Sequence, residues 1–424
     1  MKKITFAILG MGNRGRAYAS KQMKYPDEMQ VVAIADNRPL QLESANRYLN
    51  LPKDRLFDGI ESLLAQPRLA DVLIIATPDK CHRDHAVAAM AKGYHLLLEK
   101  PIANTLLECK EIVEAAAKYD RKIMVCHVLR YTVFYQQIKK LIDEGVIGKV
   151  ENIVAVERIG YYHFAHSYVR GNWHKLADSS PAILAKCSHD MDLMLWLTGK
   201  QCKKVSSFGS LDYFTRENCP EGAPPRCSDG CKYEDTCPYH AVRFYNARIP
   251  GWPASILHPE PTEENLLPIL QTSDYGRCVF QSDNDVVDHQ VVNLLLEDGV
   301  TVSFTMSAFN GKIDRAIHVM GTKGEIVGEM DQKKLVVRTF GMNEQHSYSI
   351  DLDALCDDFT GHGGGDARMI YDVVRYLRGD DFDSSAITTI ERSAQSHYVA
   401  FAAEQSRVEG GRVIDMAQFV ADCK

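Results

Sequence analysis

Two sets of residues in this 424-residue chain have types and spacings suited to chemistry. The first is Gly10-Met11-Gly12-Asn13-Arg14-Gly15, set directly after an apolar run at residues 4–9. Glycines at a strand-to-helix turn let a pyrophosphate approach backbone N–H groups, and an acid on the following strand can accept hydrogen bonds from an adenosine ribose. Asp36 fills that position, 21 residues after Gly15 and just past a second apolar run at 30–35. Its carboxylate repels the 2′-phosphate of NADP and favours NAD. Arg38, two residues on, offsets part of that repulsion and keeps NADP as an alternative. The second set is Cys219, Cys227, Cys231 and Cys237, four of twelve cysteines gathered within 19 residues. Their segment is rich in Pro, Gly and Asp and has no hydrophobic period, so thiolates sharing a metal would give it the fixed shape that apolar burial cannot. Zinc, an iron–sulfur cluster, and reduced or disulfide-paired cysteines are the alternatives, the cysteine–proline pairs being of the kind found in iron–sulfur runs.

The elements that must position these groups alternate in the first third of the chain. Strands are expected at 4–9, 30–35, 71–76, 94–98 and 123–127, with helices at 16–24, 82–92 and 106–119 between them. This alternation predicts a doubly wound parallel sheet, a Rossmann domain over residues 1–128, with ligands at the carboxyl ends of its strands. Thr77, Lys100 and His127 all fall at such ends. Beyond it, a helix at 134–144 and strands at 150–158, 290–296, 300–309, 316–320 and 335–340 are followed by helices at 367–377 and 387–407. Five prolines in residues 250–268 predict an irregular loop, and Asp366 is a plausible N-cap after the glycines at 363–365.

Ala76-Thr77-Pro78-Asp79-Lys80-Cys81-His82 and Glu99-Lys100-Pro101, together with the glycine motif, resemble the glucose–fructose oxidoreductase / inositol dehydrogenase (Gfo/Idh/MocA) family. The resemblance implies a second α/β domain over 129–424 around a large, mostly antiparallel sheet, here interrupted by a Cys-rich insertion at 216–240. It implies a nicotinamide cofactor held by Gly10, Gly12, Asn13, Arg14, Gly15, Asp36, Arg38, Thr77, Pro78, His82, Glu99 and Lys100. Lys100 is then the recurrent active-site lysine, and His189 and Asp192 match the family's H-x-x-D as catalytic residues. A histidine suits proton transfer from a secondary alcohol because its ordinary pKa lies near working pH. The family commonly has an aspartate four residues before that histidine, where this chain has Ala185, and its glycine-rich approach is replaced by Ser179-Ser180-Pro181. Substrate contacts are expected from His127, Arg130, Tyr162, Trp173, Lys186 and His362.

The function implied is an NAD-dependent oxidoreductase acting on a ring carbinol of a sugar, glycoside or cyclitol. A glycosidase that uses bound NAD transiently and a non-catalytic NAD(P)-sensing protein are the alternatives. Composition is that of a soluble enzyme, with 45% hydrophobic and 25% charged residues and a formal charge of -7. A balance this acidic excludes a nucleic-acid surface, which needs clustered cations. Uncharged runs are too short for a membrane span. A cytoplasmic homodimer or homotetramer with a small-molecule carbohydrate or cyclitol substrate is expected.

Overall fold

The computed structural model describes residues 2–341 and 345–423. Its first sheet is built from β1 (Ile4–Leu9), β2 (Met29–Ala35), β3 (Leu56–Phe57), β4 (Val72–Ile75), β5 (His95–Leu98) and β6 (Ile123–Val125). All neighbours are parallel, in the order β3-β2-β1-β4-β5-β6. The crossovers carry α1 (Asn13–Ala19), α2 (Pro39–Leu49), α3 (His82–Ala91) and α4 (Leu106–Tyr119). Near-continuous apolar strands such as Val72–Ile75, wholly buried, are what a sheet covered on both faces requires. The order reverses between β1 and β4, so the carboxyl ends of those strands open a crevice at the switch point. Both the glycine turn and Thr77 sit there.

After α5 (Val133–Asp143) the chain enters a nine-stranded sheet. Its members are β7 (Val150–Arg158), β8 (Cys202–Ser210), β9 (His289–Leu296), β10 (Thr301–Ser307), β11 (Asp314–Gly321), β12 (Gly324–Glu329), β13 (Lys334–Phe340), β14 (Gln345–Asp351) and β15 (Ile414–Asp415). Every pairing is antiparallel except β7 with β10. The α/β class with a parallel and a mostly antiparallel sheet is therefore as expected, although β3, β8, β12, β14 and β15 were not anticipated. Helices α6 (Ser188–Thr198), α7 (Gly365–Arg378) and α8 (Ile390–Val408) belong to this half. α8 packs on α6, β8 and α4, and the Ile102 N–H donates to His397 Nε2 at 2.9 Å, tying this helix to the end of the parallel sheet. The sheet's other face stays open, with Val154, Phe208 and Val291 exposed.

Two local expectations are corrected. Residues 250–268 are not all irregular: Glu263–Thr272 is a helix despite Pro268, because Thr262 and Asn265 form a capping box and Leu266 and Leu270 bury in a second small apolar core. Asp366 is not the N-cap of α7. Gly364, in the left-handed region at φ +80°, holds that place, and Asp366 lies inside the first turn with a different partner.

Candidate active site

Close packing explains two of the three motif glycines. Gly10 has φ +92°, and a Cβ there would lie 2.5 Å from Ala76 O. One at Gly15 would lie 1.9 Å from Gly10 O. At Gly12 the nearest atom to a Cβ would be Arg38 Nη2 at 3.7 Å, so no packing demand accounts for that glycine. It opens onto the uncapped N-terminus of α1, a cradle into which a pyrophosphate fits. Asp36 is set beside it. Its carboxylate accepts the Met11 N–H at 2.7 Å and the Arg38 N–H at 2.9 Å, and the half-exposed Arg38 guanidinium folds back to 3.1 Å. These residues fit a nicotinamide dinucleotide, with Asp36 placed for the ribose.

Arg14 does more than line that cradle. Its guanidinium donates to Glu99 Oε1 at 2.7 Å, Tyr18 Oη at 2.6 Å and both Asp366 oxygens at 2.8 and 3.2 Å. Glu99 accepts the Lys100 N–H at 3.0 Å. One side chain thus ties the glycine turn, the strand end carrying Lys100 and the first turn of α7 together. Burial pushes the Glu99 and Asp366 carboxyls up. The Arg14 cation and its hydrogen bonds, with Lys100 beside Glu99 and His362 beside Asp366, outweigh burial and hold both below the ordinary range.

Lys100 Nζ donates to the Ala185 carbonyl at 2.6 Å. The position where the family commonly has an aspartate therefore still supplies an acceptor, through its main chain. A carbonyl brings no negative charge. Burial lowers the Lys100 pKa; Glu99 opposes this and Lys186 reinforces it, leaving the pKa below its usual value. His189 follows one turn after Ala185, with Nδ1 buried and unpartnered. Burial, then the Lys100 ammonium and His127, hold its pKa well below the histidine range, so the ring is neutral and able to take a proton. His127 stands edge-on to His189 at 5.5 Å and to His397 at 5.4 Å, with neither nitrogen hydrogen-bonded. His362, held by Asp366 at 3.2 Å in a left-handed turn at φ +49°, brings its ring to 6.5 Å from that of His189.

A second polar group supports this helix start. Lys186 lies 3.4 Å from Glu157, Arg315 lies 2.5 Å from the same carboxylate, and Arg315 donates to Asp190 at 2.8 and 3.2 Å. Glu157 and Arg315 are direct cross-strand partners in β7 and β11. They were missed in sequence, although a signal exists: Ile153, Ala155 and Glu157 share one buried phase of β7, which puts a carboxylate where an apolar side chain is the rule. His163 was likewise passed over in favour of its neighbour. Its Nδ1 is buried without a partner, and burial followed by Lys186, His166 and Lys100 depress its pKa.

Other expected residues are placed differently. Asp192 and Arg130 are buried against each other as a two-pronged pair, both contacts 2.6 Å, so neither offers a free group to substrate. His82 spans Pro101 O at 2.8 Å and Thr77 O at 3.0 Å, which makes it a brace between two loops and leaves no nitrogen for a cofactor. Trp173 donates its indole N–H to Asp79 at 2.8 Å. Tyr162 packs against the small second core beneath Arg248. Among the described residues no group of three His, Cys, Asp or Glu side chains is placed to hold one metal ion, so the expectation of a single zinc on Cys219, Cys227, Cys231 and Cys237 is not met.

Comparison with known proteins identifies both domains. Residues 4–127 match the model of an oxidoreductase family's NAD-binding Rossmann fold, and residues 139–415 match that family's C-terminal alpha/beta domain. The chain belongs to the Gfo/Idh/MocA family. Members similar to it include the oxidoreductase YteT of Bacillus subtilis, 24% identical over 314 residues covering 72% of each chain. Inositol 2-dehydrogenase of Salmonella agona is 27% identical over 213 residues, half of this chain and 58% of that one. An Agrobacterium radiobacter oxidoreductase solved with NAD+, L-tartaric acid and magnesium shares the fold, with a TM-score of 0.70 and 16% identity over 98% of this chain and 99% of that one. This family member is thus an NAD-binding oxidoreductase.

Proposed function

We propose that the protein is an NAD-dependent dehydrogenase that oxidises a ring carbinol of a sugar or cyclitol, with Lys100 and His189 as the reacting pair. The observation that carries this reading is the bond from Lys100 Nζ to Ala185 O, which sets the ammonium one helical turn from an unprotonated, unpartnered imidazole. NAD, when bound over Gly12, supplies the hydride acceptor. His189 takes the hydroxyl proton as the carbon is oxidised, and the Lys100 ammonium stabilises the oxygen as negative charge develops on it. His127, His163 and His362 present further ring nitrogens suited to neighbouring hydroxyls, because each neutral imidazole carries one donor and one acceptor. His189 is buried and Lys100 partly buried, which limits the access of bulk water to the pair.

The paired Arg38 and Asp36 favour NAD while leaving NADP as a slower alternative. The open face of the large sheet joins copies into a dimer or tetramer, and the twelve free thiols suit a reducing cytoplasm. The test is NADH formation by the purified protein across a panel of pyranoses, glycosides and cyclitols. Net NADH with one of them, lost in Lys100→Ala and His189→Ala, is the expected result. Aglycone release without net NADH would replace this reading with the NAD-using glycosidase, and NAD binding without any turnover would replace it with a sensor.

A further inference from the structure

The segment between β8 and β9 forms a lobe around its own small core, to which Phe244, Tyr245, Leu266 and Leu270 contribute. One edge of this lobe, from Trp252 to Glu260, meets the first domain. Ala254, fully buried, and Leu257 anchor that edge in the lobe's core, and one helical turn at Ala254–Leu257 gives it local shape. Its other groups reach three separate places. The Trp252 ring lies edge-on to His163 at 4.9 Å and to His166 at 5.4 Å, at the substrate end. Further along, Ser255 O accepts from Arg16 Nη2 of α1 at 3.4 Å. Glu260 then forms an ion pair with Arg47 of α2.

Two further observations tie this edge to the adenosine end of the cofactor site. The first is the company Arg16 keeps. It lies on α1, whose N-terminus makes the cradle, and burial lowers its pKa, with Tyr48 opposing, Arg38 reinforcing and Asp36 opposing that shift. Both residues placed for the ribose are thus its neighbours. Arg38 is also a neighbour of the lobe: Tyr275 stacks on His166 at 5.1 Å, and burial pushes its hydroxyl up to about 12 against the pull of Arg38. The second is charge. Arg38 is paired with Asp36, whereas Arg16 has no carboxylate partner among the described residues, its one hydrogen bond being the long one to Ser255 O. A phosphate is the anion that a guanidinium in this position suits.

We propose that the edge from Trp252 to Glu260 is an outer wall of the dinucleotide site, and that Arg16 is a further cofactor-binding residue, donating to a phosphate of NAD and to Ser255 O at once. The bound cofactor is then enclosed between the two halves of the chain. It leaves only when Ser255 and Glu260 part from α1 and α2, so the lobe slows its release. The inference rests on the NAD site alone and holds whichever substrate is turned over.

The test is the rate at which bound NADH leaves the full chain, read by stopped-flow fluorescence after mixing with excess NAD. Glu260→Arg sets two cations against each other and should speed release by about two- to fivefold, the reach of an exposed ion pair. The swap Arg47→Glu, Glu260→Arg should bring the rate back to that of the wild type. Both positions are exposed, so neither change threatens the fold. Arg16→Met, which removes a charged hydrogen bond to the cofactor, should speed release by about tenfold or more. Release unchanged in Glu260→Arg, release unchanged in Arg16→Met, or a swap no slower than Glu260→Arg alone would each overturn the proposal. The recovery in the swap separates a wall over the cofactor from general loss of stability, which a second substitution would only deepen.

Discussion

The two sides of the crevice treat their buried polar groups in opposite ways. On the cofactor side Arg14, Tyr18, Glu99, Asp36 and His82 are all bonded to other parts of the protein. On the substrate side His127, His163 and His189 keep buried nitrogens with no partner. An unpaired buried polar atom costs about 1–3 kcal/mol, so three histidines left this way are stability forgone where a ligand must bind. The contrast teaches which residues hold the site and which act in it. It also explains why Arg130 and Asp192, charged and central, belong with the holders.

The contrast can be broken most sharply at the reacting pair. Lys100→Ala or His189→Ala should lower kcat by about 100- to 10,000-fold with Tm nearly unchanged, measured by NADH formation and thermal melting. Removing a holder should do the reverse. Asp192→Ala strands the Arg130 guanidinium and should cost about 3–5 kcal/mol in urea unfolding, whereas the double change Arg130→Met, Asp192→Leu should recover most of it. A third comparison lies within the glycine motif. Gly15→Ala should unfold the first domain, since its Cβ meets a main-chain oxygen at 1.9 Å. Gly12→Ala should keep the fold and weaken NAD binding by about tenfold, or 1.4 kcal/mol. The smallest effect is on pH dependence. Because burial and the Lys100 cation depress His189, the acid limb of kcat/KM should fall below the ordinary histidine value of about 6.5. Because burial and Lys186 depress Lys100, the alkaline limb should come in below the ordinary lysine value of about 10.4. Limbs at the ordinary values would place the pair in water.

Much of the holding framework was legible in the chain. The glycine spacing and apolar runs place β1 to the residue and β2 within one residue, because a buried parallel strand needs an unbroken apolar run and its turn needs glycine; the helix expected at 16–24 is instead Asn13–Ala19, followed by a separate turn at Lys21–Lys24. Strand β7 was found to the residue, since Gly148 marks its start and its alternation is regular from Ile153 onward. The misses have physical reasons. β8 begins Cys202-Lys203-Lys204 and lies near an edge of the sheet, so its outward residues are charged and its pattern is weak. Asp192 was expected to be catalytic from its match to the family's H-x-x-D, and such a match cannot show that Arg130, 62 residues earlier, claims the carboxylate. The Glu157–Arg315 pair depends on register between strands far apart in sequence, which periodicity does not contain.

The bond from Lys100 to Ala185 has a consequence for which substitutions the site can absorb. A carboxylate partner is lost whenever its codon changes, but a main-chain carbonyl survives every replacement at its position. Residue 185 is therefore free of any chemical requirement and constrained by volume alone, since it is 1% exposed in the apolar core. A saturation library there should sort by side-chain size, with Gly, Ser and Cys active and Phe, Arg and Trp inactive. The most protected contact of the lysine is then one that no single substitution at its partner's position can delete.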